Sequence, residues 1–361
     1  MFVWFSVLLS QAFNLNSMKM TLHTSLFFRR WTILLGLITW LGLLAVTASG
    51  SSKLINLELE TTLVPSPASI DVLLPPGYEE AEVALPLFIW LHGGSSGRAH
   101  LERRMKPYMD KAWASGDLTP CVVVTPVTGS SFYIDWSDGT NQWDSFITGQ
   151  MLDFVRGKYN VRQDRAGTVI GGASAGGQGT LRIALRHPEL FVAAAAMEPG
   201  FPPVLTAEEL PFLTDIDNPP PAAAARFGNP FDVEYWRSTH PPTMVIDHAD
   251  RLRESGLQLL IEAGDEDANG TFRSAELVHR LLYDAAIEHD YHLHRGAAHT
   301  GRSMDWRMPE AFRFLSRALN PPDGPDPMAE RHKQGAIQKG RYQPRTTNEM
   351  PLSPVVFEKP E

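Results

Sequence analysis

The sequence predicts an α/β fold with a mainly parallel central sheet that helices cover on both faces. Eight segments are typical of strands, and from Leu85 onward they alternate with helical segments, as in βα units. Two of these strands end in glycine-containing turns, at Gly93-Gly94 and around Ser174, where the chain can turn sharply. With 361 residues, 43% of them hydrophobic, the chain can form one large core.

The first predicted strand lies within residues 51–65, most clearly at 57–64, and forms an antiparallel hairpin with the second, 70–74, at the edge of the sheet. Their alternation of apolar and polar residues favours a half-buried edge position. The other strands are predicted at 85–91, 121–127, 168–172, 191–197, 257–263 and 289–294, with helices at 100–114, 142–158, 177–187, 272–287 and 308–319. Cys121 is the only cysteine, so it forms no intramolecular disulfide, and it falls on a buried strand.

Two segments interrupt the alternation of strands and helices. Residues 198–242 are rich in proline and too long for an ordinary connection, which predicts a lid-like insertion over an acyl or alcohol pocket. Residues 321–361 are rich in proline, charged and poor in aromatic residues, which predicts a flexible tail. The main domain is therefore expected to span residues 49–320.

The amino terminus carries an export signal. Two arginines precede the apolar run 31–46, and the small-residue site around Ala48 follows, which predicts a signal peptide over residues 1–48. The long segment before the arginines leaves open a start at Met18 or Met20. A retained membrane anchor is the alternative, since the run approaches the ~20 residues of a spanning helix. Both alternatives place the main domain outside the cytoplasm, secreted or periplasmic, with membrane contact only if the segment is retained.

The formal net charge of -9 argues against a nucleic-acid partner or an anionic membrane surface, since both need a clustered basic excess. An acidic chain also gives no reason to expect that an acidic substrate is drawn inward. The composition leaves the oligomeric state open.

The segment 168–182 joins a β-branched run, a Gly-x-Ser-x-Gly turn and the start of a helix. A strained turn of this kind exposes a nucleophile, so we predict that Ser174 is the nucleophile of a hydrolase. Gly172 and Gly176 flank it where a side chain would clash. A second match, which holds Ser95, is better explained as a loop beside the site, because it follows the His92-Gly-Gly turn.

The acid and the base of such a triad follow the nucleophile along the chain. The strand 257–263 leads into an acidic turn that holds Asp265 and Asp267, and His299 comes after the last strand. We therefore predict the triad Ser174, Asp267 and His299, with Asp265 as the alternative acid. The acidic turn is also compatible with a solvated loop or a calcium site.

The His-Gly-Gly turn after strand 85–91 is the expected place for one oxyanion donor. The backbone N–H groups of Gly94 and Ala175 are the predicted pair. The candidate pocket residues are His92, Gly93, Asp135 and Trp136, although the last two could instead be packed beneath the loop.

No metal is predicted. The pair His292 and His294 could direct two imidazoles to one face of a strand, but the sequence offers no third ligand in register. The predicted chemistry needs no organic cofactor.

Taken together, residues 70–319 resemble the putative-esterase (esterase D-like) branch of the α/β-hydrolases. That branch includes S-formylglutathione hydrolases, feruloyl, acetylxylan and siderophore esterases, and mycolyltransferases. The resemblance rests on the segments 91–94, 131–136, 143–146, 172–177, 184–191 and 264–267 and on His299. The Gly264-x-x-Asp267 spacing, shared with these esterases, favours Asp267 as the acid. Two departures count against a formylglutathione hydrolase: Ala175 where such esterases often have Met, and His92-Gly-Gly where that enzyme has Ser-Gly-Leu.

The resemblance implies an exported serine esterase that cleaves a carbohydrate, phenolic or other small extracellular ester through an acyl-enzyme. An envelope acyltransferase with the same triad is the alternative. A hydrolase-fold binding module without turnover and a serine peptidase are further hypotheses, but a peptidase of this fold usually carries an extra domain for which the chain has no room.

Overall fold

The structure, a computed structural model, describes residues 51–94, 97–322, 324 and 326–341. These residues belong to one compact unit, Gly50–Glu361. The predicted signal segment 1–48, the competing serine Ser95 and the end of the predicted tail lie outside the described residues.

An eight-stranded sheet lies at the centre, in the order β1-β2-β4-β3-β5-β6-β7-β8. Its strands are β1 (Lys53–Leu59), β2 (Ala68–Leu74), β3 (Leu87–Leu91), β4 (Val122–Pro126), β5 (Thr168–Ala173), β6 (Ala193–Met197), β7 (Gln258–Gly264) and β8 (Asp290–His294). β2 pairs antiparallel with β1 and with β4, and all other neighbours are parallel. The predicted α/β class with a mainly parallel sheet is confirmed.

β1 lies within the stretch 51–65 that was predicted as strand, but it ends earlier than the segment 57–64 implied. It pairs with β2 from Lys53 opposite Leu74 to Leu59 opposite Ala68, so residues 60–67 form the connection. The apolar residues of this connection leave the sheet: the Leu63 carbonyl accepts the Gln142 N–H at 2.7 Å. Apolar and polar residues continue to alternate beyond Leu59 because some residues of the connection 60–67 are partly buried against another part of the chain.

The two faces of the sheet pack into separate apolar layers. On β3, Leu87, Ile89 and Leu91 join one layer, whereas Phe88 and Trp90 join the other, as the two-residue period of a strand requires. All five side chains are buried. Covering helices on both faces explain why the central strands are continuous apolar runs.

Helices precede or follow almost every parallel strand. They are α1 (Lys106–Ser115), α2 (Leu152–Lys158), α3 (Ala175–Arg186), α4 (Pro221–Phe227), α5 (Val233–Thr239), α6 (Pro241–Asp247), α7 (Ala249–Ser255), α8 (Thr271–Asp284), α9 (Met304–Leu319) and α10 (Pro327–Gln338). π-helical turns, Leu101–Met105 and Phe146–Met151, lead into α1 and α2. α1 and α9 cover one face of the sheet, and α2, α3 and α8 cover the other.

The segment predicted as a lid-like insertion, 198–242, contains α4, α5 and the start of α6. Its apolar side chains form a third cluster, separate from the two sheet layers, with Ile134. The buried members from the insertion are Ala207, Leu210, Leu213, Ala223, Phe227, Phe231 and Trp236. A core of its own means that this segment is a packed unit and not a loose loop.

The segment predicted as a flexible tail contains α10, in which no residue is buried. Within the described part of the chain, no helix is both long and apolar enough to cross a membrane.

Two buried histidines lead us to expect that the fold loses stability in mild acid. Burial lowers the pKa of His92 from 6.5 to about 4 and that of His240 from 6.5 to about 3. As pH falls from 6.5 toward 4, the unfolded chain binds protons that the folded chain excludes, so each residue costs up to about 3 kcal/mol of folding free energy. The melting temperature should therefore fall over this range.

Thermal unfolding of His240→Gln and of His332→Gln at several pH values tests this expectation. His332 is exposed on α10 and provides the matched control. His240→Gln should flatten the decline between pH 6.5 and 4, whereas His332→Gln should follow the wild type. Parallel profiles for all three proteins would contradict the role of His240.

Candidate active site

Ser174 occupies the junction between β5 and α3 with φ 59° and ψ −120°. A positive φ is strained for a residue with a side chain, and here the backbone is tied on both sides. The Ser174 N–H donates to the Met197 carbonyl at 2.9 Å, and its own carbonyl accepts the Gln178 and Gly200 N–H groups at 2.9 and 3.2 Å. The predicted strand-turn-helix around Ser174 is therefore present.

Close backbone contacts explain the glycines on either side of Ser174. A Cβ atom on Gly172 would lie 2.6 Å from the Leu91 carbonyl oxygen, and one on Gly176 would lie 2.0 Å from the same atom. The turn packs directly against the end of β3, so only glycine fits at both positions.

His299 Nδ1 lies 2.7 Å from Asp267 Oδ2. Asp267 follows β7 in a tight turn, and its buried carboxylate also accepts the Asn269 N–H at 2.7 Å and the Thr271 hydroxyl. Burial by itself raises the pKa of Asp267, but the hydrogen bonds from Thr271, His299 and Asn269 outweigh burial and hold the pKa below its usual value. The carboxylate therefore stays ionised beside His299.

Asp265, the alternative acid, points elsewhere. Its carboxylate accepts the Gly296 N–H at 2.6 Å and stabilises the turn before His299. Of the two predicted acids, only Asp267 contacts His299.

Glu198 is a second carboxylate at His299, and sequence reasoning missed it. Its Oε2 atom lies 3.2 Å from His299 Nδ1, and its side chain is 1% exposed. It directly follows β6, next to β7, so it lies at the same edge of the sheet as Asp267. Burial raises the pKa of Glu198 to about 8 against the opposing effect of Arg307. The sequence feature that could have identified Glu198 is its position as a lone acidic residue directly after an apolar strand.

Arg307 holds this second carboxylate in place. Its fully buried guanidinium lies 2.6 Å from Glu198 Oε1 and binds Glu262 through two hydrogen bonds of 2.7 and 2.9 Å. It also donates to the Ala298 carbonyl at 3.0 Å, next to His299. One arginine therefore connects the ends of β6 and β7 with the loop that carries the histidine.

The pair His292 and His294 gains a neighbour that the sequence did not predict. Glu310 of α9 lies 3.8 Å from His292 Nδ1 and 3.7 Å from His294 Nε2, so three metal-type ligand atoms come together at the outer edge of the sheet. His294 Nε2 is also 3.1 Å from the Glu262 carboxylate, which offers it an ion pair instead of a metal.

Two cavities meet at Ser174. The first, of about 1140 Å³, is also lined by Trp90, Gly93, Gly94, Glu198 and His299. The second, of about 830 Å³, is also lined by Gly94, Phe132, Ala175, Phe201 and several prolines of the insertion. Ser174 and Gly94 line both cavities, His299 lines the first, and Ala175 lines the second, so these predicted catalytic residues border the two cavities.

Of the four candidate pocket residues, Gly93 lines the first cavity, whereas His92, Asp135 and Trp136 line neither of these two cavities. His92 is fully buried, because its ring accepts the Thr128 N–H at 3.1 Å beneath the turn. The Asp135 carboxylate is engaged by the Ser145 N–H and hydroxyl at 3.0 and 2.6 Å. Trp136 donates to the Ser131 carbonyl at 3.3 Å and packs against the insertion cluster. These contacts agree with the alternative that Asp135 and Trp136 pack beneath the loop, and a role of the three residues in the pocket stays a prediction.

The chain is similar to a known protein family and to several known proteins. The profile of the family described as "Putative esterase" matches residues 62–307. Among curated proteins, the chain is 37% identical over 81 residues to the MPT51 antigen of Mycobacterium leprae, which is 22% of this chain and 26% of that protein. It is 33% identical over 75 residues to an acetyl esterase of Caldicellulosiruptor saccharolyticus, 21% of this chain and 28% of that protein.

A third curated relative is the diacylglycerol acyltransferase/mycolyltransferase Ag85A of Mycobacterium bovis, 33% identical over 84 residues, 21% of this chain and 24% of that protein. The chain thus spans about a quarter of the length of the curated relatives it matches. Among solved structures, a ferulic acid esterase has a TM-score of 0.60 at 21% identity, covering 75% of this chain and 99% of that one. An S-formylglutathione hydrolase from Agrobacterium tumefaciens has a TM-score of 0.60 at 21% identity, covering 74% and 95%. These likenesses show the fold.

Proposed function

Because the chain belongs to the "Putative esterase" family of the α/β-hydrolase superfamily, we propose that it is an exported serine esterase that uses Ser174, His299 and Asp267. One observation carries the proposal: His299, held at 2.7 Å by a buried carboxylate, lines the same cavity as the strained serine. This is the arrangement that activates a serine hydroxyl for attack on a carbonyl.

The proposed reaction has two steps through an acyl-enzyme. His299 removes the Ser174 proton as the oxygen attacks the ester carbonyl, and then protonates the leaving alcohol. Asp267 holds Nδ1 protonated, so that Nε2 is the base, and stabilises the imidazolium that forms. The N–H groups of Gly94 and Ala175 stabilise the oxyanion, and water activated by the same histidine releases the acid.

For the substrate, we propose a carboxylic ester of a carbohydrate, phenolic or other small extracellular compound. The second cavity favours a flat or apolar acyl group, because Phe132, Phe201 and three prolines line it. The insertion 198–242 contributes most of these residues and thereby acts as the proposed lid. The export proposal rests on the predicted signal segment 1–48, with a retained anchor as the alternative.

An acyltransferase is the second candidate, since one curated relative is named a mycolyltransferase. Water and an acceptor alcohol would use the same triad and the same acyl-enzyme. The two functions differ only in what occupies the first cavity during the second step.

The test is turnover by the chain that begins at Ser49. We expect hydrolysis of short p-nitrophenyl esters and of feruloyl or acetyl sugar esters, with a burst of one p-nitrophenol per active site if deacylation is slow. A product that shifts from free acid to a new ester when sugar or glycerol acceptors are added would support the acyltransferase. A folded wild type that neither turns over any ester nor gives a burst would refute both candidates.

A methyl group at Gly93 should slow the reaction. A Cβ atom there would lie 2.9 Å from the Ala173 carbonyl oxygen and 3.2 Å from Ser174 Cβ, so the nucleophile would have to shift. We expect Gly93→Ala to lower kcat roughly 100-fold, the loss that a displacement of about 1 Å produces. Gly157→Ala, on α2 with no atom within 4 Å of the added carbon, is the control. Equal kcat for both variants would contradict this reason.

A further inference from the structure

One wall of the first cavity is cationic, although the chain as a whole is acidic with a net charge of -9. Four positively charged side chains line it: Arg103, Arg104, Lys111 and Arg302. Three come from the helical segment that runs from Leu101 into α1, and the fourth comes from the loop after His299. All four are exposed, and within the described part of the chain none of them forms an ion pair.

The acidic residues of this cavity do not neutralise the wall. Asp305 accepts the Tyr108 hydroxyl at 3.3 Å, and Glu198 is buried against Arg307 at 2.6 Å. Four cations therefore face one exposed carboxylate. The expectation from net charge, that nothing draws an acidic substrate inward, does not hold at this cavity.

The second cavity differs in charge. Its ionisable lining residues are Glu209 and Arg273, one of each sign, and the remainder are apolar or neutral. The two spaces around Ser174 are thus adapted to different parts of a substrate, one anionic and one uncharged.

The positions of the proposed catalytic groups indicate which cavity binds the alcohol part of the ester and which binds the acyl part. His299, which protonates the leaving oxygen, lines the first cavity and not the second. Ala175, whose N–H would bind the carbonyl oxygen, lines the second and not the first. Gly94, the other predicted donor, lines both cavities. The position of His299 therefore favours the cationic side for the leaving alcohol, and the acyl group would then lie among the aromatic and proline residues.

We propose that the alcohol part of the natural ester carries a carboxylate or phosphate group, which the cationic wall of Arg103, Arg104, Lys111 and Arg302 binds. This inference rests on the proposed esterase function and names its substrate class. Guanidinium groups bind both anions through paired N–H donors, so the two anions share one recognition chemistry. An exposed cation contributes little binding energy by itself, so several of these side chains should be needed to bind the anion. High salt should screen their charges and weaken that binding.

The experiment compares acetyl esters that differ only in the charge of the leaving group. The first pair is 4-acetoxybenzoate and the neutral 4-acetoxybenzamide, and the second is 4-acetoxyphenylphosphonate, a phosphate analogue, and its neutral dimethyl ester. In all four compounds the acetyl ester is the one activated bond. kcat/KM is measured for wild type, for the double variant Arg103→Gln/Arg104→Gln and for Arg302→Gln. Arg317→Gln, at an exposed arginine of α9 outside both cavities, removes one positive charge and is the matched control for Arg302→Gln.

We expect the ratio of kcat/KM for the anionic to the neutral ester to fall roughly tenfold in the double variant and less in Arg302→Gln, mainly through KM. Arg317→Gln should keep the wild-type ratio, and about 0.5 M salt should reduce the wild-type ratio toward that of the double variant. Comparing ratios between proteins cancels the intrinsic reactivity of each ester. The pair with the larger drop identifies carboxylate or phosphate as the preferred group.

Two results would count against the proposals, and they are distinguishable. In the first, all four esters are turned over, but the ratio of kcat/KM for the anionic to the neutral ester is the same in every protein, or falls as far in Arg317→Gln as in the other variants. This result would overturn the anionic leaving group and leave the esterase function intact. No turnover of any ester by the folded wild type would refute the esterase function itself.

Discussion

Ser174→Ala is expected to lower kcat for ester hydrolysis by about 10⁶-fold, because no acyl-enzyme can form without the hydroxyl. The fold should survive, since the turn is held by backbone hydrogen bonds of Ser174 to Met197, Gln178 and Gly200. Alanine keeps these bonds and meets the same backbone strain as serine. Steady-state assays with p-nitrophenyl acetate, together with the melting temperature, measure both effects.

Two further variants test whether the loss in Ser174→Ala is specific. Ser95→Ala removes the serine of the second Gly-x-Ser-x-Gly match and should retain activity within a few fold. His299→Ala added to Ser174→Ala should lower kcat little further, because residues that act as one unit give non-additive losses. If Ser174→Ala kept more than about one hundredth of wild-type kcat, another group would have to be the nucleophile.

The second large effect concerns the two carboxylates at His299. Asp267→Asn should lower kcat by about 10⁴-fold, because an amide N–H directed at Nδ1 favours the wrong imidazole tautomer. Asp267→Ala should lose less, roughly 100-fold, because Glu198 at 3.2 Å then becomes the partner of Nδ1. Glu198→Gln alone should change kcat by less than about tenfold, since Asp267 stays in place.

The double variant Asp267→Ala/Glu198→Gln should fall to the level of Asp267→Asn. In Asp267→Ala the remaining activity should rise with pH as Glu198 ionises. The midpoint should lie below about 8, because the loss of the Asp267 charge removes one cause of the raised pKa. Equal kcat for Asp267→Ala with and without Glu198→Gln, across pH, would contradict a role for Glu198 at His299.

Much of the fold follows from local pattern. Buried strands such as β3 and β4 are continuous apolar runs bounded by turn residues, and all eight strands were predicted. The first strand was predicted to end too late, because its alternating pattern extends into residues that contact another part of the chain, where Leu63 accepts the Gln142 N–H. The insertion 198–242 was located by its proline content, but its separate apolar cluster depends on contacts between distant residues.

The candidate triad was predictable for a related reason. Ser174, Asp267 and His299 each follow a strand, and chain order assigned their roles, which stay predictions until the variants are measured. Glu198 and Arg307 could not be assigned in the same way. Their importance comes from pairing across β6, β7 and α9, and a buried ion pair leaves no spacing pattern in the sequence.

By itself, the sequence determined the α/β class, the strained turn at Ser174 and the family, because backbone sterics and apolar periodicity act over a few residues. Tertiary structure decided which carboxylates reach His299, which contacts bury His92, and where the charged side chains lie around the cavities. Net charge is a sum over the whole chain, whereas a substrate meets the potential of one cavity wall. Only folding brings Arg302, Arg103 and Arg104 to the same cavity as Ser174 and gives an acidic protein a cationic wall there.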